Sequence, residues 1–130
     1  PETLLAELRS PNNRFTLAVV QGVPVGYAKL CLDYAPMADL PELLPETVAL
    51  LQRCYVDAAW HGKGIARALM AQALDQARNE GKRAVWLGVW EHNHRALAFY
   101  RKWGFRVVGR RVFKLGSAAP TDFVMRIDLD

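Results

Sequence analysis

His61-Gly62-Lys63-Gly64-Ile65-Ala66-Arg67 stands between a strand-like run and a helix-like run, and its reading decides the fold. Upstream, residues 47–56 form a mostly apolar stretch ending in Cys54-Tyr55-Val56. Downstream, Ile65, Leu69, Ala73 and Ala77 recur at every fourth position with Met70 and Leu74 beside them. That spacing predicts an amphipathic helix over residues 65–80, closed by Gly81 as a left-handed cap. Residues 84–90 are a continuous apolar run, the pattern of a strand covered on both faces. Strand, loop, helix, strand predicts a right-handed βαβ unit with a parallel pair.

The flanks add antiparallel structure. Residues 15–20 and 25–32 read as two strands around Gln21-Gly22-Val23-Pro24, a hairpin signal. Residues 33–45 carry Pro36, Pro41 and Pro45 and read as a loop, while residues 4–9 read as the end of a short helix stopped by Pro11 and Asn12-Asn13. Residues 95–103 predict a second helix ended by Gly104, and residues 105–113 and 123–129 predict two last antiparallel strands linked through 116–120. In the final strand Phe123, Met125, Ile127 and Leu129 alternate, so one face is buried. The predicted class is α+β: a mixed, mostly antiparallel central sheet with one parallel βαβ pair and flanking helices, in a single domain over residues 1–130.

Composition narrows the partners. Hydrophobic residues make up 52% and charged residues 23%, which disfavours disorder. No apolar run nears the roughly 20 residues that span a bilayer, and Pro1-Glu2-Thr3 lacks the basic start of a signal peptide. Cys31 and Cys54 have no C-x-x-C spacing and cannot form a scaffold, so a reducing, cytoplasmic setting is expected. Residues 53–114 hold 13 of the 17 Lys and Arg but four of the 13 Asp and Glu, a formal +9 that leaves −5 elsewhere. A basic half suits a polyanion, either nucleic acid or a phosphate-bearing ligand. No aromatic-basic RNA motif accompanies it, which argues against nucleic acid.

The glycine loop points to phosphate. Gly62 and Gly64 let the backbone turn tightly, and the helix that follows offers unpaired N–H groups at its positive end, with Lys63 and Arg67 beside them. An ordinary glycine turn before a helix has the same look. Walker and dinucleotide loops are excluded: no Gly-Lys-Ser/Thr is present, and Arg67 stands where a third glycine would be.

Two stretches together resemble the GCN5-related N-acetyltransferases. That family's acetyl-coenzyme A signature runs Arg or Gln, two residues, Gly, one residue, Gly or Ala. Here His61 fills the first position, while Gly64 and Ala66 match. The second signature is Asn93, Ala96, Phe99-Tyr100 and Gly104-Phe105, and residues 86–105 look like the branch that includes bacterial polyamine acetyltransferases. The resemblance covers roughly residues 15–129. Family members usually carry a strand and one or two helices before the hairpin, so the N-terminal strand and helix are expected to be missing here or to be completed by a neighbouring copy in a homodimer.

The resemblance implies acetyl-coenzyme A (acetyl-CoA) as cosubstrate and an amine acceptor; the sequence offers no ligand set for a metal, and none is expected. It implies that Tyr100 is the general acid that protonates the departing thiolate, a phenol of pKa near 10 being neutral at the start. It implies cofactor binding by the backbone of Cys54, Tyr55 and Val56, by His61, Gly62, Lys63, Gly64, Ile65, Ala66 and Arg67, and by Asn93, Phe99, Tyr100 and Lys102. Asn93 also suits a helix N-cap, Lys102 suits a solvated helix face, and Cys54 suits a packed residue better than a nucleophile. Many relatives place a glutamate as general base where this chain has Leu50. The base therefore stays open among Asp33, Glu46, Glu91, a histidine, and an amine that arrives neutral. The acidic run Asp33, Asp39, Glu42 and Glu46 suits either a cationic acceptor, such as a small polyamine-like amine or a peptide amine, or plain loop solubility. His92 and His94 lack a third ligand and are expected on an exposed loop. A non-catalytic acyl-CoA sensor is the alternative to an enzyme, and release of a titratable thiol separates the two.

Overall fold

The computed structural model describes residues 10–32, 48–112 and 121–129. Its elements are β1 (Asn13–Val20), β2 (Val23–Cys31), β3 (Val48–Val56), a 3₁₀ turn (Ala58–Trp60), α1 (Ile65–Asn79), β4 (Ala84–Trp90), α2 (His94–Trp103), β5 (Arg106–Val112) and β6 (Thr121–Asp128). The strands form one sheet in the order β1-β2-β3-β4-β6-β5. Every pair is antiparallel except β3–β4. The readings of residues 4–9, 33–45 and 116–120 lie outside the described residues.

The first hairpin is tighter than the sequence suggests. Val20 pairs with Val23, so the turn is Gln21-Gly22 alone, with φ of 50° and 79°. Two positive φ angles define a type I′ turn, whose twist matches that of the strands, and glycine adopts the second at no steric cost. Val23 and Pro24 belong to β2, and Pro24 sits opposite Val19 beside a register shift, a position where its missing N–H is tolerated.

α1 buries Leu69, Met70, Ala73, Leu74 and Ala77, one stripe at 3.6-residue spacing. These pack on Ala28, Leu30, Ala49, Leu51, Val85, Leu87 and Met125 from one sheet face, each large side chain contributing roughly 1.5–3 kcal/mol. The other face holds a second cluster of Cys31, Val48, Leu50, Ala84, Trp86 and Val124. Residues 84–87 of β4 are therefore buried from both sides, which explains their unbroken apolar run.

The feature that positions the site is a split. β3 pairs with β4 only at Val48/Ala84, Ala49/Val85 and Leu50/Trp86, whereas β4 keeps β6 from Ala84 to Trp90. Past Leu50, β3 follows β2. Lys29 pairs with Arg53 and Leu30 with Leu51, which makes Gln52 the extra residue of a β-bulge. A bulge bends its strand and sharpens the local twist. Gly26 reinforces the bend, because a Cβ there would lie 2.6 Å from the Tyr55 carbonyl oxygen. Only glycine lets β2 lie this close to the diverging end of β3.

Candidate active site

The split opens onto a cleft of about 470 Å³. Its walls come from the end of β3, the glycine loop with the start of α1, and α2. Of the residues expected at a cofactor, Cys54, Val56, His61, Gly62, Gly64, Ile65, Ala66, Arg67, Asn93, Phe99 and Tyr100 line it together.

Strand geometry explains which backbone groups face the cleft. The Asp57 N–H donates to the Val25 carbonyl at 2.8 Å, and alternate residues of an antiparallel strand point their backbone groups the same way. Tyr55 and Asp57 therefore bond toward β2, while Cys54 and Val56 present theirs toward the split. This corrects the expectation for Tyr55. Its backbone is turned to β2, and its ring, 53% exposed, lies on the opposite sheet face beside Tyr27 at 6.1 Å. The Val56 carbonyl is also committed, because His61 Nε2–H donates to it at 2.8 Å. His61 thus ties the glycine loop to the end of β3 and leaves the Val56 N–H and the Cys54 backbone for a ligand.

The loop meets α1 through Gly64, the N-cap, at φ 85°, with Gly62 at φ 76°. The first helical bond runs from the Ala68 N–H to the Gly64 carbonyl at 3.1 Å. The N–H groups of Ile65, Ala66 and Arg67 precede it and face outward at the positive end of the helix. Lys63 and Lys102 lie outside the residues that line this cleft. Lys63 is exposed in the glycine loop, and Lys102 lies in the last turn of α2, where a cation complements the helix dipole.

Two lining residues escape both motifs, Trp60 and Arg95, while Ala96 of the second signature joins the wall. Arg95 had a legible signal. Neither α1 nor α2 has an acid in its first turn, and Arg67 and Arg95 sit there instead. A cation at a helix N-terminus opposes the macrodipole by about 0.3–1 kcal/mol unless an anion lies between them. Trp60 closes the 3₁₀ turn immediately before the loop, held by its N–H to the Asp57 carbonyl at 2.8 Å.

Tyr100 sits deeper, edge-on to Phe99 at 5.6 Å and to Phe105 at 5.8 Å. Burial, with a smaller contribution from Cys54, pushes its phenol up to about 12. Burial also raises Cys54 to about 11, so at neutral pH it is an inert thiol, as expected of a packed cysteine. Asn93 caps α2, its Oδ1 accepting from the Ala96 N–H at 3.2 Å, which leaves its amide NH₂ as a donor at the cleft.

The base candidates separate as well. Leu50 is a core residue, 6% exposed, at the last β3–β4 rung. The Glu91 carboxylate is engaged by Arg110 at 3.3 Å and lies 3.5 Å from His92. Asp33, Asp39, Glu42 and Glu46 lie outside the described residues. His92 and His94 are exposed, and His94 is the first residue of α2.

A glycine-cradled helix N-terminus beside two diverging parallel strands defines an acyltransferase-type cleft, and comparison with known proteins agrees. The model of the acetyltransferase (GNAT) family matches residues 1–105. The chain belongs to that family. It is 31% identical over 125 residues to an uncharacterized N-acetyltransferase in the pepI 3′ region of Lactobacillus delbrueckii subsp. lactis, covering 96% of this chain and 70% of that one. It is 35% identical over 120 residues to the N-alpha-acetyltransferase RimI of Mycobacterium tuberculosis, covering 91% and 69%. A shorter match, 44% identical over 75 residues to the uncharacterized N-acetyltransferase Mb2688 of Mycobacterium bovis, covers 58% of this chain and 48% of that relative's length. In fold it is similar to the ribosomal-protein-S18-alanine N-acetyltransferase of Escherichia coli (TM-score 0.76, 20% identity, 98% and 76% covered). It is also similar to yncA of Salmonella typhimurium, a proposed acetyltransferase solved with its cofactor acetyl-CoA (TM-score 0.75, 22% identity, 91% and 65% covered).

Proposed function

We propose that this protein moves the acetyl group of acetyl-CoA to a primary amine by direct attack within a ternary complex. The observation that carries this is the split between β3 and β4, which points the Cys54 and Val56 backbone into a cleft shared by two acid-free, arginine-bearing helix starts and Tyr100. These residues fit the cosubstrate. The outward N–H groups of Ile65, Ala66 and Arg67, with Arg67 and Arg95, suit a pyrophosphate, and a Cβ on Gly62 or Gly64 would meet nothing within 4 Å, so the cradle is open. The strand edge and the Asn93 amide suit an amide-bearing arm.

Acetyl-CoA, when bound, supplies an activated thioester carbonyl. The chain's own groups do the rest. The backbone N–H of the diverging strand stabilises the developing oxyanion, the kind of preorganised donor worth about 2.7–4 kcal/mol in comparable sites. Tyr100 offers its phenolic O–H to the departing sulfur as a hydrogen bond, easing the charge that builds there as the C–S bond breaks. The relationship to RimI favours a peptide or protein α-amine as acceptor over a small polyamine-like amine.

Binding is tested by thermal unfolding with acetyl-CoA. At about 100 times the dissociation constant, stabilisation of roughly 2.7 kcal/mol is expected. No shift at saturation would remove the cosubstrate from the account. The buried Leu50 favours a second reading, a sensor that binds acyl-CoA without turnover, and an amine panel assayed for free thiol separates the two.

A further inference from the structure

The split has a second face. Leu87 and Val89 of β4 belong to the cluster packed under α1, so Gly88 and Trp90 point the other way. Beyond Leu50/Trp86 this part of β4 has no β3 partner and keeps only β6, with Gly88 opposite Val124 and Trp90 opposite Asp122. Phe123 packs toward the α1 side, which puts Asp122 on the same face as Gly88 and Trp90. Its side chain leans back along the strand, so that Oδ2 lies 3.6 Å from where a Cβ on Gly88 would be. Position 88 is thus a gap roofed by a carboxylate, at the mouth where the sheet opens, with Trp90 half exposed beside it. Tyr55 and Tyr27 share this face across the split.

We propose that Asp122 docks the acceptor's ammonium group over Gly88, with Trp90 receiving the apolar body that carries it. This rests on the acetyltransferase reading and adds to it which side chains of this chain hold the acceptor: Asp122 and Trp90, side by side over Gly88 on the face opposite α1. A carboxylate beside an exposed indole recognises an alkylammonium by charge and by cation–π attraction. Desolvation raises the Asp122 carboxyl above its ordinary value even though Arg111, its rung partner on β5, pulls it down, so burial outweighs that arginine. An ordinary aspartate and an α-ammonium differ by about four pKa units, which makes Asp122 a poor base but a good counter-ion. Its role is to hold the ammonium, and water at this open face takes the proton before the nitrogen attacks.

The test uses benzylammonium as probe and benzyl alcohol as its neutral control, titrated into the ¹⁵N-labelled protein with coenzyme A present. In the wild type, benzylammonium is expected to shift the Gly88, Trp90 and Asp122 amides and the Trp90 indole, saturably, while benzyl alcohol does not. Asp122→Asn should weaken that binding tenfold or more, and Asp122→Glu should recover part of it. Gly88→Val fills the gap while keeping the carboxylate, and should weaken it equally. Acetyl-CoA affinity, measured on the same samples, should stay within threefold of wild type. Benzylammonium that binds elsewhere, fails to bind, or binds Asp122→Asn as it binds wild type overturns the proposal while intact acetyl-CoA binding leaves the cosubstrate reading standing. Loss of acetyl-CoA binding in the wild type would sink both.

Discussion

Tyr100→Phe removes one oxygen from the cleft, and the structure sets the size of its effect. A phenol pushed up to about 12 stays protonated through the whole working range, so the acid is always loaded. It is also a reluctant donor. Against a thiol of ordinary pKa near 8.5, complete proton transfer would be uphill by about 5 kcal/mol, at 1.36 kcal/mol per unit. Tyr100 therefore acts chiefly as a hydrogen-bond donor to sulfur as the bond breaks, and its loss should sit at the low end of general-acid effects, about 10²-fold in kcat. The Kd for acetyl-CoA should change less than threefold, because the interaction strengthens only in the transition state.

The same shift predicts a stability effect with a definite sign. Below pH 10 both folded and unfolded tyrosine are protonated and Tyr100 adds no pH dependence. Between pH 10 and 12 chiefly the unfolded chain ionises, so stability falls as pH rises, by about 1 kcal/mol at pH 11. Urea unfolding at pH 8 and pH 11 should show Tyr100→Phe losing about that much less than wild type. A variant that turns over at the parent rate, or that loses stability with pH as steeply as wild type, would refute the reasoning.

Gly26→Ala forces a Cβ to within 2.6 Å of the Tyr55 carbonyl; it should cost about 1–3 kcal/mol in urea unfolding and weaken acetyl-CoA binding by moving the end of β3. An unchanged midpoint would show that the strand approach is slack. Arg67→Ala and Arg95→Ala should each weaken acetyl-CoA about tenfold or more by calorimetry, with a shallower salt dependence, since charge-assisted bonds contribute roughly 1.5–3 kcal/mol. Salt-independent affinity equal to wild type would place the phosphates elsewhere. Asn93→Ala should lose about 1 kcal/mol of stability with the α2 cap, whereas Asn93→Asp keeps the cap and loses only the amide donor. If Asn93→Asp binds acetyl-CoA as tightly as wild type, Asn93 is a cap and nothing more.

Much of this is legible in the sequence itself. The 3.6-residue stripe of α1 and the double-sided apolar run of β4 specify a parallel unit because each has a single way to bury its face. The glycine loop was equally plain, since two positive-φ residues before a helix have few uses. What stayed hidden was set across strands. That Tyr55 turns its backbone to β2 follows from the hydrogen-bond phase of an antiparallel pair, which a single strand's sequence does not carry. The bulge at Gln52 is a register property of the same kind. Lys102 reads alike in the sequence whether its cation serves a ligand or the helix dipole. Asp122, far from both motifs, reaches Gly88 only through the β4–β6 pairing.

The central claim is that this cleft transfers acetyl from acetyl-CoA to an amine. Its most direct measurement is thiol release from acetyl-CoA in the presence of N-terminal peptides and small primary amines, with product mass confirmed. The account predicts free thiol in step with a 42 Da gain, the mass of one acetyl less a proton, on at least one peptide α-amine, and a rate cut about 10²-fold by Tyr100→Phe. Tight acetyl-CoA binding with no thiol release on any amine would contradict it.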